Sequence, residues 1–528
     1  MKEEKNNVSV ENNEAETKVV GGQSVADNVA AIGDAAAQKV KDFSNKEIGG
    51  FKGKQIILVA GAVLVVLLLF VMLSNLGGEK EVKYPVVFKN SDGDILLMTG
   101  KMKDEEDAIK LSDESSGSIV YAHTTDRYVL FKKNDALYLY DSKDKEETTK
   151  LVSDIDDYMF TENDKYVIAV NTEGALYSYD FKKEKEKIGA DVEYVVDYTD
   201  THVLYLNNDD ELYVRSLNPK KDDKQKVMEE YDYGAELSAD SKNVVYTNED
   251  GDLYIFNVKK GEDEKIASEV DDFYCDEKSC TKMYFLNEEG NLYYYNGKSE
   301  EKIASDVASI SALDVENQQV LYTKSNDDDE YTLYYQKGKK DAVEVEDELE
   351  SVKSARIYEG KAIYYINSDA ELKYAKISGA KIGKVKTIAE DVEMSLRSYK
   401  KGYIFVADVN EKSNGDLYLA YNGKTKKIDS DVSDSYLTVS NSGDKVYYMK
   451  DYGSSSGDLY VTSGGKGKKI DSDVHTYNYV TDKVIYYIKD YSSSKGKGDL
   501  YRYTGKSLKI AEDVTRIAST PNYFTLNK

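Results

Sequence analysis

The chain has 528 residues, 40% of them hydrophobic and 32% charged, with a net charge of −27. That balance argues against nucleic acid as a partner, because phosphate binding needs a basic face. Two cysteines exclude a disulfide-built scaffold, and three isolated histidines (His123, His202, His475) give no Cys/His cluster for a transition metal.

Residues 1–54 are polar and nearly neutral, with eight lysines against nine acids. Within them Val25, Val29, Ile32, Ala36, Val40 and Phe43 recur at helical spacing, and Ser24 with Asp27 resembles a capping pair. The spacing predicts an amphipathic helix over 24–43 in an otherwise disordered cytoplasmic tail, suited to docking a cytoplasmic partner.

Residues 55–76 carry no charge. At about 1.5 Å per residue they span a hydrocarbon core of about 30 Å, so one transmembrane helix is expected. The run begins too late and is too long for a cleaved signal peptide. Lys46, Lys52 and Lys54 precede it, while Lys80 and Lys83 follow. This bias places the N-terminus inside and the C-terminal part outside, tethered to the cell membrane by a single pass. Residues 77–83 read as a linker. The region beyond lacks an Asn-x-Ser/Thr sequon, which suits a bacterial envelope protein.

From 84 to 528 the chain repeats itself. The Leu of a Leu-Tyr pair recurs at 137, 176, 212, 253, 292, 333, 417, 459 and 500. Glu371-Leu372-Lys373-Tyr374 is a degenerate copy, and Gly93-Asp94-Ile95-Leu96 opens the series. Around each marker stand a Tyr-rich strand, an Asp/Gly turn and a Lys-Ile-x-x-Asp-Val ending. The last full unit offers strands near Tyr477–Val480, Val484–Ile488, Leu500–Tyr503 and Leu508–Ile510. Four short antiparallel strands in a repeat of about forty residues describe a propeller blade.

The expected fold is therefore all-β: a β-propeller of ten or eleven four-stranded blades, preceded by one transmembrane helix. That number exceeds the usual four to eight blades, so two rings in tandem come first and one large ring second. The degenerate stretch 343–354 is the favoured seam, and the stretch 218–226 around Pro219 competes with it. The two ends of the repeat region look incomplete and could complete one another, which favours a single ring. The 47 tyrosines against no tryptophan fit strands, with rings wedged between blades.

These motifs resemble the tyrosine-rich propeller repeats of uncharacterised, membrane-anchored bacterial envelope proteins, and more distantly the TolB class of propellers. The resemblance covers about 84–526 and implies a fold; it supplies no catalytic residue.

Asn90–Asp94, Asn248–Asp252 and Asn326–Glu330 invite a calcium reading, but none continues into a full binding loop. They read as hairpin turns. Quinoprotein-type blades and sialidase boxes rely on tryptophan, and the repeats leave no room for a hydrolase domain. The expected role is therefore a non-catalytic binding module at the envelope, without a cofactor. Its ligand is a protein or an envelope glycan that the sequence does not identify. A glycosidase acting on wall sugars and a structural part of an envelope assembly are the alternatives. Finally, Cys275 and Cys280 flank four polar residues. The spacing predicts a hairpin with the two side chains opposed and joined by a loop-stiffening disulfide.

Overall fold

The computed structural model describes residues 82–521, apart from 101, 103–104, 114–121, 143–147, 162, 182–184, 220–222, 232–233, 327–329 and 393–395. The expected tail helix over 24–43 and the apolar segment 55–76 lie outside the described residues. Among the described residues no helix is long and apolar enough to cross a membrane, and the one helical element is the short 3-10 turn Glu105–Asp107.

Everything else is strand and turn. The described strands form eight sheets, built almost wholly from antiparallel pairs. Five hold four strands in chain order; an example is His202–Asn207 between Val192–Tyr198 and Leu212–Ser216. Two hold five strands, and one holds thirteen. The largest is a series of fours run together, because Lys424–Val439, Lys468–Thr481 and Ser507–Ile517 each serve two successive units. Fourth and first strands that the sequence suggests are separate are thus continuous here, with register shifts where the chain turns the corner.

The corner itself is the Asp-Val ending. Asp154, Asp191, Glu269, Asp306, Asp391, Asp431, Asp473 and Asp513 all have φ between 52° and 56°. Aspartate tolerates this left-handed region better than bulky residues do. The corner is clamped on both sides. Val192 N donates to Gly174 O (2.9 Å) in the turn of its own preceding unit, and Asp191 O accepts from Asn208 N (2.7 Å) in the next. The following side chain, such as Val192, Val432, Val474 or Val514, is buried. In the stretch 343–354 the same corner is made by Glu348 (φ 53°) with buried Leu349.

The repeat's other letters have equally local reasons. Each marker leucine, from Leu137 to Leu500, is buried on one face of its strand. The tyrosine beside it points to the other face, where in most units it stacks on the aromatic directly opposite; Tyr177, which faces Ala169, is an exception. Tyr205 faces Tyr213 (centroids 5.7 Å apart), Phe285 faces Tyr293 (5.1 Å) and Tyr487 faces Tyr501 (5.4 Å). Such cross-strand aromatic pairs are a main source of sheet stability. The Lys of Lys-Ile pairs with the Asp before Leu-Tyr, as in Lys469–Asp458 (2.6 Å) and Lys509–Asp499 (2.8 Å). At Gly498 a Cβ would lie 2.6 Å from Lys489 O, so the strands meet there only because the side chain is absent.

Apolar cores lie between sheets. Leu130, Leu137 and Leu139 pack with Phe160 and Val167 of the next sheet; Leu321 and Tyr335 pack with Ile363 and Tyr365. A further core joins sequence-distant ends, with Val86, Phe88 and Met98 against Val484, Tyr486 and Ile510. There Phe88 pairs with Ile517, Lys89 with Arg516 and Asn90 with Val514. Val82–Lys528 form one compact unit.

Candidate functional site

The first strands of neighbouring units are bonded to one another. Leu237 N donates to Asp197 Oδ2 (2.9 Å), Thr438 Oγ1 meets Tyr477 OH (3.0 Å), and Arg397 reaches Leu437 O. These strands form a shared edge with little apolar cover. Asp156, Asp157, Glu193, Tyr194, Asp271 and Asp272 are exposed on it, and Tyr194 is 44% exposed. Arg356 is exposed on a later first strand. The edge thus carries acids on one stretch and a guanidinium on another.

The turns that leave these first strands touch from unit to unit and build a rim. Asn163 N donates to Asp200 Oδ1 (2.9 Å), Thr199 Oγ1 meets Ser241 Oγ (2.7 Å), and Ala239 N donates to Glu277 O (3.0 Å). Further round, Lys282 pairs with Glu316 (3.0 Å), Lys400 N donates to Gly443 O (3.0 Å), and Lys445 Nζ donates to Asp482 O (2.6 Å).

On the rim, Asp164 lies within the electrostatic reach of Asp126 and Asp200, carboxylates of the units on either side. Burial, then Asp126 and Asp200, push the Asp164 carboxyl up to about 6. Burial opposes ionisation of Asp200, but hydrogen bonds from Asn163 and the charge of Lys165 hold it below the usual range. Two neighbouring carboxyls with affinities pushed apart are the raw material of acid–base chemistry. Asp164 also has a testable effect on stability. Its folded pKa exceeds its unfolded value of about 3.9, so the folded state binds the extra proton and loses stability as pH rises from about 4 to 6. Asp164→Asn keeps a residue suited to φ 54° and should raise the thermal midpoint at pH 8 while leaving it unchanged at pH 3. Equal shifts at both pH values would disprove the assignment.

In the three acidic turns the side-chain carbonyl oxygen of the opening asparagine is committed to the backbone. Asn90 Oδ1 accepts from Asp92 N and Asp94 N, Asn248 Oδ1 from Asp252 N, and Asn326 Oδ1 from Glu330 N. Asn90 makes an Asx turn, and Asn248 and Asn326 tie their own turns by a bond to the backbone four residues on. The histidines sit on different sheets. His123 is half-buried edge-on to Tyr158 with its affinity for a proton lowered by desolvation, and His475 stacks on Tyr491 at 3.7 Å.

Cys275 and Cys280 are free thiols, and their register differs from the expected hairpin. Met283, not Cys280, stands opposite Cys275. The reason is Asp276, which ties up the turn: its carboxylate accepts from Ser279 N, Thr281 N and Lys282 N, and Cys280 N donates to Asp276 O (2.9 Å). Cys280 thereby takes φ 50° inside the turn, with its side chain buried. Cys280, then burial, raise the Cys275 thiol well above its ordinary value. Glu236 of the preceding sheet completes this cluster, and nothing in the spacing of the sequence marks it.

No family model matches the chain, and no curated protein matches it. Among solved structures, a eukaryotic initiation factor is 11% identical, covering 74% of this chain and 96% of its own, with a TM-score of 0.41. Hsv2 of Kluyveromyces lactis is 11% identical over 52% of this chain and 100% of its own, with a TM-score of 0.28. PorZ, a surface component of the type-IX secretion system of Porphyromonas gingivalis, is 12% identical over 75% and 59%, with a TM-score of 0.22. At these scores the likenesses carry no argument about this chain, whose fold rests on its own strand pairing.

Proposed function

We propose that the chain is a membrane-tethered, extracytoplasmic propeller that binds a protein or glycan of the bacterial envelope through its inner edge and rim. The observation that carries the binding role is the exposed first-strand wall, with Tyr194 beside Glu193 and the pair Asp271 and Asp272. A large half-apolar ring flanked by carboxylates suits basic side chains or sugar faces. The tether rests on the uncharged stretch 55–76 and on the lysines before it.

The blades in this reading number eleven and close as one ring, in place of two rings in tandem. Two features support it: the pairing of residues 88–90 with 514–517, and a shared core from each sheet to the next across 343–354. The C-terminal strand then completes the first blade.

The test is a membrane-impermeant cross-linker applied to intact cells. The wild-type chain should be labelled and should trap a defined partner. The variant Tyr194→Ala/Asp271→Asn/Asp272→Asn should be labelled equally and trap at least tenfold less of it. No labelling would overturn the topology, and undiminished trapping would overturn the site.

A second reading, a glycosidase acting on wall sugars, is favoured by one observation, the raised Asp164 carboxyl beside ionised Asp200. Release of sugar from wall glycan by the wild type, lost in Asp164→Asn, would select it.

A further inference from the structure

We propose that Glu236, Cys275 and Cys280 form a site for a soft divalent cation of the zinc class, held between two neighbouring sheets by two thiolates and one carboxylate. The carboxylate oxygen and the two sulfurs all lie within 4.8 Å of one another. Two thiolates on one tetrahedral zinc stand about 3.8 Å apart, so the cluster closes on a cation with a movement of about 1 Å or less. Three protein ligands with one open position is the donor number of zinc sites that keep a water. Sulfur ligands select zinc-like ions over calcium or magnesium.

The scaffold around the cluster is already set. Glu236 lies in the strand Ala235–Leu237, whose backbone is fixed by the bond from Leu237 N to Asp197. Cys275 ends the strand Val270–Cys275, and the Asp276-centred turn holds Cys280 against it. The two turns are latched together by Ala239 N to Glu277 O and Asp240 N to Lys278 O, both 3.0 Å. A cation here would cross-link the same two units that these backbone bonds already join. Binding is not a redox step. The cation displaces one proton from each thiol, both protons pass to buffer, and the carboxylate binds as it stands. The inference is independent of the membrane tether and of the partner at the inner edge.

The test uses the full-length chain in detergent, reduced, with both thiols verified as free. Cobalt(II) should give near-ultraviolet sulfur-to-metal absorption and the visible bands of a tetrahedral ion, saturating at one equivalent and displaced by zinc. Cys275→Ser and Cys280→Ser should each abolish the near-ultraviolet band or cut it at least by half. Glu236→Gln should weaken binding by about tenfold or more. Independently of any variant, zinc should slow alkylation of both cysteines in the wild type. The proposal is overturned if the verified dithiol gives no sulfur-to-cobalt absorption. Cobalt binding unchanged in Glu236→Gln overturns it too, as does a Cys275–Cys280 disulfide in protein freshly taken from cells.

Discussion

Truncating the chain after Thr504 is expected to abolish the cooperative thermal transition of the repeat region. The deletion removes the strand Ser507–Ile517, which serves two units at once. On one side it leaves Gly498–Tyr503 paired only with Val484–Ser492; on the other it leaves Val82–Asn90 paired only with Ile95–Gly100. It also removes buried Ile510, Val514 and Ala518, the bond from Ala518 N to Val87 O (2.7 Å), and that from Ala122 N to Ala518 O (2.9 Å). Each fully buried Ile or Val contributes about 1.5–3 kcal/mol. With the exposed strand edges added, the loss is on the order of 5–10 kcal/mol, comparable to the whole stability of an ordinary domain. The measurement is circular dichroism on heating, with limited proteolysis at 25 °C. Shortening the exposed turn at Ser493–Ser494 is the control and should cost about 1 kcal/mol or less. A truncated protein that melts like the wild type would show that the two ends do not support each other.

Asp471→Ala should be among the most damaging single substitutions outside the apolar core. The carboxylate of Asp471 accepts from Tyr487 OH (2.5 Å) and from Lys489 Nζ (2.9 Å), and Asp429 does the same for Tyr448 (2.8 Å) and Lys450 (2.5 Å) one unit earlier. Removing it leaves a buried hydroxyl and a largely buried ammonium without their acceptor. Breaking a fully dry pair in this way costs about 3–5 kcal/mol; here partial solvent access lowers the figure to about 2–3 kcal/mol. Tyr487→Phe, which keeps the ion pair, should cost about 1 kcal/mol. Burial opposes ionisation of Asp471, but Tyr487, Lys489 and Ser472 N together hold its pKa below the ordinary value. Its folded pKa is therefore the lower one. The stabilisation is complete above the unfolded value of about 3.9 and is lost as pH falls through the folded pKa. Thermal midpoints of wild type and Asp471→Ala should differ most at neutral pH and converge as pH falls below 3.9. A constant difference down to pH 2 would refute the ionic part of the triad.

What the sequence by itself determined is whatever a strand settles within a few residues. Alternation along Leu459-Tyr460 or Leu500-Tyr501 dictates that the leucine is buried and the tyrosine lies on the opposite face, because side chains on a strand alternate. The asparagine turns were legible for the same reason, since Asn248 bonds a backbone only four residues away. The Asp-Val ending was visible as a signal, but its meaning as a left-handed corner clamped by two units came only from the structure. Tertiary structure alone decided what depends on chain far apart. It set Thr515 against Lys89, 426 positions away, and it brought Asp126, Asp164 and Asp200 from three units to one rim. It moved Cys280 out of register with Cys275, because the Asp276 carboxylate organises the turn more strongly than loop length does. It also placed Glu236 beside both thiols. Local periodicity selects which face of a strand is buried, whereas the meeting of separate strands is set by how whole sheets pack, and no spacing within one repeat encodes it.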